Sequence, residues 1–229
     1  MPCFQIGLKI ASVKKNLIIG YKMTNHLYAN GLFNFNFPVS CDGATPPLYP
    51  LLNAISWMIF GKQVSTSHLI QILFVYGLFI QIYNFAKHYT NNSKSAIFVS
   101  FLMFVDPTLD AQIVLIGPEL IMIFLFFLAL NGVLKNNLFI TTIGLLFLSL
   151  IHLRGMILCS GLFLFDVIRH LYLKEKTFIN FIKSHKFTPY LIGSIIPITY
   201  LIWRYITRGW LITHPDSPWK GLWTLTDLP

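Results

Sequence analysis

A few polar residues in this chain of 229 stand where chemistry could be done. Glu119 follows Gly117-Pro118 and opens the apolar run LIMIFLFFLAL. The stretch His152-Leu153-Arg154-Gly155 falls between two apolar runs with hardly any loop. Asp42 stands four residues before the doublet Pro46-Pro47, and Asp110 lies in a short polar segment flanked by Asp106 and Glu119. A carboxylate can take the proton of a hydroxyl acceptor while a cation holds a phosphate leaving group. The planar fork of an arginine suits that second task. Carboxylates and Arg154 gathered at one surface would therefore support group transfer from a phosphate to a hydroxyl.

Each residue also has a plainer reading. Glu119 at the start of an apolar helix complements the positive end of the helix dipole. Asp106 before Pro107 can start a turn. Arg154 can snorkel to lipid headgroups, as can Arg204 near the end of the last apolar run. His152 can be a hydrogen-bonded packing residue. Asp166 and Arg169 are three residues apart in FLFDVIRH, the spacing of a local ion pair on a helix. Trp203, Trp210, Trp219 and Trp223 resemble an aromatic belt, though such rings also stack on sugars.

Composition decides what positions these groups. Apolar residues make up 55% of the chain and charged residues 11%, with 21 phenylalanines and a mean hydropathy of +0.65. Soluble proteins carry about 25% charged residues, so lipid must replace water over much of this surface. An all-α, polytopic membrane helix bundle is expected, in a cell membrane. The balance of 17 Lys and Arg against 8 Asp and Glu gives a net charge of +9. Without a docking element that balance does not indicate nucleic acid; basic cytoplasmic loops account for it. Cys3, Cys41 and Cys159 have no pairing or metal spacing, and no metal is expected. No P-loop, dinucleotide fingerprint, HExxH or nucleophile elbow is present.

The elements follow. Residues 1–23 form a basic segment suited to an interfacial helix. Residues 24–65 read as an outer loop that runs into a short helix from Pro46-Pro47 to Gly61, re-entrant or surface-lying. Residues 66–206 form the membrane bundle, with six apolar spans at about 66–86, 95–106, 119–134, 138–153, 156–172 and 188–206. Residues 207–229 are an outer tail. One set of loops carries eight Lys and Arg (Lys87, Lys94, Lys135, Arg169, Lys174, Lys176, Lys183 and Lys186). The opposite set carries Arg154, Arg208 and Lys220 together with most of the carboxylates. The positive-inside rule then makes the first set cytoplasmic, provided the 46–61 helix does not cross.

The string NHLYANGLFNFNFPVSCDGATPPLYPLLNAISWMIFGKQVSTSHL resembles the first outer loop of polyprenyl-phosphate-sugar-dependent glycosyltransferases of the C-type (GT-C) superfold. That group includes the dolichyl-phosphate-mannose protein mannosyltransferases and the lipid A aminoarabinose transferases. Thr45-Pro46-Pro47-Leu48 and Phe60-Gly61 match the outline of its Pro-Pro-Leu motif and aromatic helix. Pro118-Glu119-Leu120 resembles its acidic residue before a Phe/Leu-rich helix, and Leu153-Arg154-Gly155 its basic residue–glycine pair. The resemblance covers about 30–206. It implies transfer of a sugar from a polyprenyl-phosphate donor to a hydroxyl of a lipid, glycan or protein on the non-cytoplasmic face, with membrane lipid around it. Glu119 would be catalytic and Arg154 would bind the donor phosphate, with His152 and Asp110 among the substrate-binding groups; no cofactor is implied.

The chain also departs from that pattern. No Asp or Glu precedes Asp42, where the resemblance calls for a spanning helix and a catalytic aspartate, so Asp42 would be the substitute base. Thr45 replaces the motif's Lys or His, and the sequence stops in an apparent outer loop, as a fragment would. A lipid transporter or flippase and an inactive remnant are the competing expectations.

Overall fold

The structure, a computed structural model, describes residues 20–38, 45–174, 178–182 and 185–209. Those residues are almost entirely helical, and no strand occurs among them. Residues 20–30 form α1, followed by α2 (Leu48–Phe60), α3 (Val64–Thr90), α4 (Ser93–Met103) and α5 (Pro107–Val114). The second half contains α6 (Glu119–Leu134), α7 (Leu138–Ile151), α8 (Leu153–Lys174), α9 (Phe178–Ile182) and α10 (Thr188–Arg208). Helices occupy all six intervals expected from hydropathy. The segment 107–118, read from sequence as a connection, contains α5: Asp106 Oδ1 accepts the Thr108 amide at 2.7 Å and Pro107 occupies the first turn.

Tight turns force the helices antiparallel. Asn91 ends α3 in the left-handed region at φ 51°, and Asn92 Oδ1 caps α4 by accepting the Lys94 amide. The turn between α6 and α7 repeats the device. Asn136 is left-handed at φ 53°, the amides of Asn136 and Asn137 return to the carbonyls of Val133 and Gly132, and Asn137 Oδ1 accepts the Ile140 amide. Asparagine tolerates this backbone because its short side chain hydrogen-bonds locally. Between α7 and α8 a single residue, His152, reverses the chain.

Two helices, Val64–Thr90 and Leu153–Tyr172, are long and apolar enough to cross a membrane, and α4 with α5, bent by 67°, could make a third span. α6 and α7 are apolar but have only 16 and 14 residues, about 24 and 21 Å against a bilayer core of about 30 Å. α10 has 21 residues and packs Pro189, Gly193 and Pro197 inward while Ile192, Ile195 and Ile202 stay about half exposed. An apolar outer face of this kind suits lipid rather than water.

α7 is the hub of the packing. A Cβ on Gly144 would stand 2.8 Å from the backbone of Ala129 in α6, one on Gly193 of α10 would stand 3.0 Å from Leu145, and one on Gly155 of α8 would collide with the Leu148 carbonyl. Small residues thus let backbones approach where apolar burial in lipid supplies no driving force. The core between them contains Ile121, Leu125, Ala129, Leu145, Leu148 and Ile151.

The two ends of the bundle differ. At one, Arg169 donates to the Val133 and Leu134 carbonyls at 2.8 and 3.2 Å, adding a side-chain donor to the C-terminal carbonyls of α6. The expected Asp166–Arg169 pair therefore does not form as a direct contact; Asp166 instead accepts from the Tyr190 hydroxyl at 3.1 Å. At the other end, the Tyr200 hydroxyl reaches the Thr45 carbonyl and Arg208 reaches Asn36 and the Phe37 carbonyl. Arg204, expected to snorkel, is buried there and donates to the Tyr200 hydroxyl at 3.2 Å. α2 lies across this second end, because Tyr49 joins the core beside Ile121 and Ile151 while Trp57 Nε1 donates to Ser67 at the start of α3. Beside it, the Lys62 ammonium sits 5.7–6.0 Å from the rings of Tyr21, Tyr28 and Trp57, a cation–π contact that ties α1 to α2.

The glycine seam predicts a sharp contrast. Gly144→Leu should destabilise the protein in detergent by about 1–3 kcal/mol or more, through overpacking. Gly161→Leu, where nothing lies within 4 Å of the added Cβ, should change little. Equal melting temperatures for the two variants would refute the seam.

Candidate functional site

The site is built where three helix ends meet. α6 begins at Glu119, α7 ends at Ile151, and α8 begins at Leu153. Gln71 on α3 is buried and donates its amide to the carbonyls of Leu115 and Gly117 at 2.8 and 3.3 Å, fixing the turn that presents Glu119. The Glu119 carboxylate folds back over Gly117, where a Cβ would stand 2.5 Å from Oε2. Glycine at 117 is what leaves room for it.

His152 ends α7 and caps α8. Its Nδ1 accepts the Arg154 amide at 3.1 Å, so the neutral ring carries its proton on Nε2. Burial holds the imidazole below its ordinary value; the Arg154 charge adds to that and Glu119 opposes it. Arg154 itself is exposed, and Gly155 beside it permits the close approach of α8 to α7. The Arg-Gly pair therefore divides its work: the glycine packs and the arginine faces outward.

Tyr49 on α2 completes the group and had no signal in sequence, since a tyrosine in an apolar helix reads as core. It is buried, and its hydroxyl has no hydrogen-bond partner in the chain. Burial pushes that hydroxyl well above its ordinary range, Asn53 pulls it down, and the nearby Glu119 charge raises it further.

His152 thus feels both the Arg154 and the Glu119 charge, and Tyr49 feels that of Glu119, at the end of the bundle where α6 begins and α7 meets α8. Asp110 is exposed on the first turn of α5 and forms no described contact with that group. Asp42 lies outside the described residues, as do Trp210, Trp219 and Trp223. Among the described residues no group of three His, Cys, Asp or Glu side chains could hold a metal ion. A separate cleft lined by Gly132, Asn136, Thr141, Asp166, Lys186 and Pro189 lies at the opposite end of the bundle, and none of the site residues lines it.

The depressed His152 value gives a pH prediction with a definite sign. The folded form favours the neutral ring, so the unfolded chain takes up the proton first as the pH falls below the ordinary value of 6.5. His152 therefore contributes stability fully above that pH and loses it on acidification. His152→Gln should flatten the fall in melting temperature between about pH 7.5 and 5, around the ordinary histidine value; an unchanged slope would exclude His152 as its source. Compared with known proteins, the chain matches no protein-family model, no curated protein and no solved structure.

Proposed function

We propose that this chain forms a multi-pass membrane glycosyltransferase, or part of one, that moves a sugar from a polyprenyl-phosphate donor to a hydroxyl acceptor. The observation that carries the reading is the grouping of Glu119, His152, Arg154 and Tyr49 at one end of the bundle. In this reading α4 with α5, α6, α7 and α10 cross the membrane alongside the two long apolar helices. The end bearing Lys87, Lys94, Lys135 and Lys186 faces the cytoplasm, by the positive-inside rule. The Glu119 end then faces outward.

The acceptor hydroxyl attacks the sugar's anomeric carbon as the bond from that carbon to the phosphate oxygen breaks. Glu119 takes the hydroxyl proton, and the electron pair of the broken bond stays on the polyprenyl phosphate. Arg154 offsets the charge that grows there. Asp42 and Asp110 remain candidate contributors from the same sequence pattern, as base and substrate contact respectively. A lipid transporter is the second reading. Its support is Asp166, a buried carboxylate within the long helix α8 that accepts from Tyr190; lipid movement without a sugar donor would favour it.

Transfer of labelled sugar from a polyprenyl-phosphate donor, measured in membranes carrying the full chain, tests the reading. Glu119→Gln should lower kcat by about 10²–10⁴-fold, the range for a lost general base. Arg154→Gln should chiefly raise KM for the donor. Unchanged turnover in both variants would overturn the proposal. Separately, an impermeant amine reagent on intact cells should spare Lys135 and Lys186; labelling of both from outside would invert the assigned sidedness.

A further inference from the structure

Burying a hydroxyl without a partner costs stability, and native proteins seldom keep one without a reason. Tyr49 is 8% exposed and its hydroxyl has no hydrogen bond within the chain. Its ring is held in the core with Ile121, Leu148 and Ile151, so the hydroxyl position is set by packing. The Asn53 amide donates to the Tyr49 carbonyl at 3.1 Å and makes no hydrogen bond of acceptable geometry to the hydroxyl. A second buried polar atom near the same turn is also unpartnered: Gln71 is 2% exposed, its amide serves Leu115 and Gly117, and its Oε1 accepts nothing. Two such atoms flanking the Glu119 turn describe a site arranged for a polar group that comes from outside the chain.

The chemistry of that group follows from the neighbours. Burial and the Glu119 charge keep the Tyr49 hydroxyl protonated, so it can donate. Tyr49 packs in one cluster with Ile151, three residues before the exposed Arg154; an O–H donor and a cation at the same end of the bundle favour an anionic oxygen, while Glu119, an acceptor, is left for a hydroxyl. We propose that Tyr49 is a further substrate-binding residue, its hydroxyl donating to a phosphate oxygen of a lipid-linked phosphate held by Arg154. The inference rests on the transferase reading of this end of the bundle and adds a residue to it.

Tyr49→Phe removes only the oxygen and keeps the packed ring. Because the hydroxyl is unpaired in the free protein, the variant should melt at the same temperature or higher without ligand. A residue with a merely structural hydrogen bond would do the opposite. The probe is thermal stabilisation of the full chain in detergent by a long-chain polyprenyl monophosphate, with phosphatidic acid and inorganic phosphate as parallel arms. Wild type should be stabilised, and Tyr49→Phe should need about tenfold more polyprenyl monophosphate for the same shift, the loss of one charge-assisted bond. Stabilisation by polyprenyl monophosphate alone identifies the isoprenoid source; equal stabilisation by phosphatidic acid, still weakened in Tyr49→Phe, supports the same contact with lipid phosphates in general. An equal response of wild type and Tyr49→Phe, with Arg154→Gln impaired, overturns the Tyr49 role and leaves the transferase reading standing. Absence of any response in wild type overturns both.

Discussion

The bundle depends on how closely other backbones approach α7. Three neighbours reach it through glycines, at Gly144 against α6, Gly155 in α8 and Gly193 in α10. In lipid, apolar side chains gain little by leaving one apolar surface for another, so dispersion at short range and saturated polar groups must hold helices together. A glycine seam supplies the first. The second comes from Arg169 on the end carbonyls of α6, from Asn131, whose amide donates to the carbonyl and side chain of Gln81, and from the two Asn-Asn turns.

That constraint also sets the site. His152 can cap α8 only because α8 turns back directly on α7, and α8 can do so only because residue 155 lacks a side chain. Glu119 is held from the other side by Gln71 on α3, through carbonyls in the turn that precedes it. The polar groups at this end are consequently fixed by helices that meet there, and α2 closes over them with Tyr49 pointing inward.

Much of the helical layout was legible as apolar runs, because a stretch that must satisfy its own backbone in lipid has to be helical. α5 and residues 24–30 of α1 were not: Pro107 and Asp106 signal a turn as readily as a helix start, and the polar, turn-forming residues after Thr24 read as an outer loop. Two polar side chains were misjudged for one reason. Arg169 is held by carbonyls 35 and 36 positions away, and Arg204 by Tyr200 one turn before it, a tyrosine that is itself tied to Thr45 across 155 positions. Local spacing holds no record of the contacts that Val133, Leu134 and Thr45 supply. Glu119, His152 and Arg154 were visible as ionisable groups at the ends of apolar runs, whereas Tyr49 became visible only through the missing partner of its hydroxyl.

The brevity of α6 and α7 has a consequence for the surrounding bilayer. If this hairpin crosses, hydrocarbon beside it must thin or headgroups must dip, because neither helix alone matches the thickness of an undisturbed membrane. The long helices α3 and α8 would tilt or protrude beside it. The result of such a crossing would be a local hollow in the leaflet above Glu119 and His152. There, water could descend to groups that would otherwise lie beneath the headgroup layer, and an amphiphile sliding in from the side would meet them without first leaving the membrane.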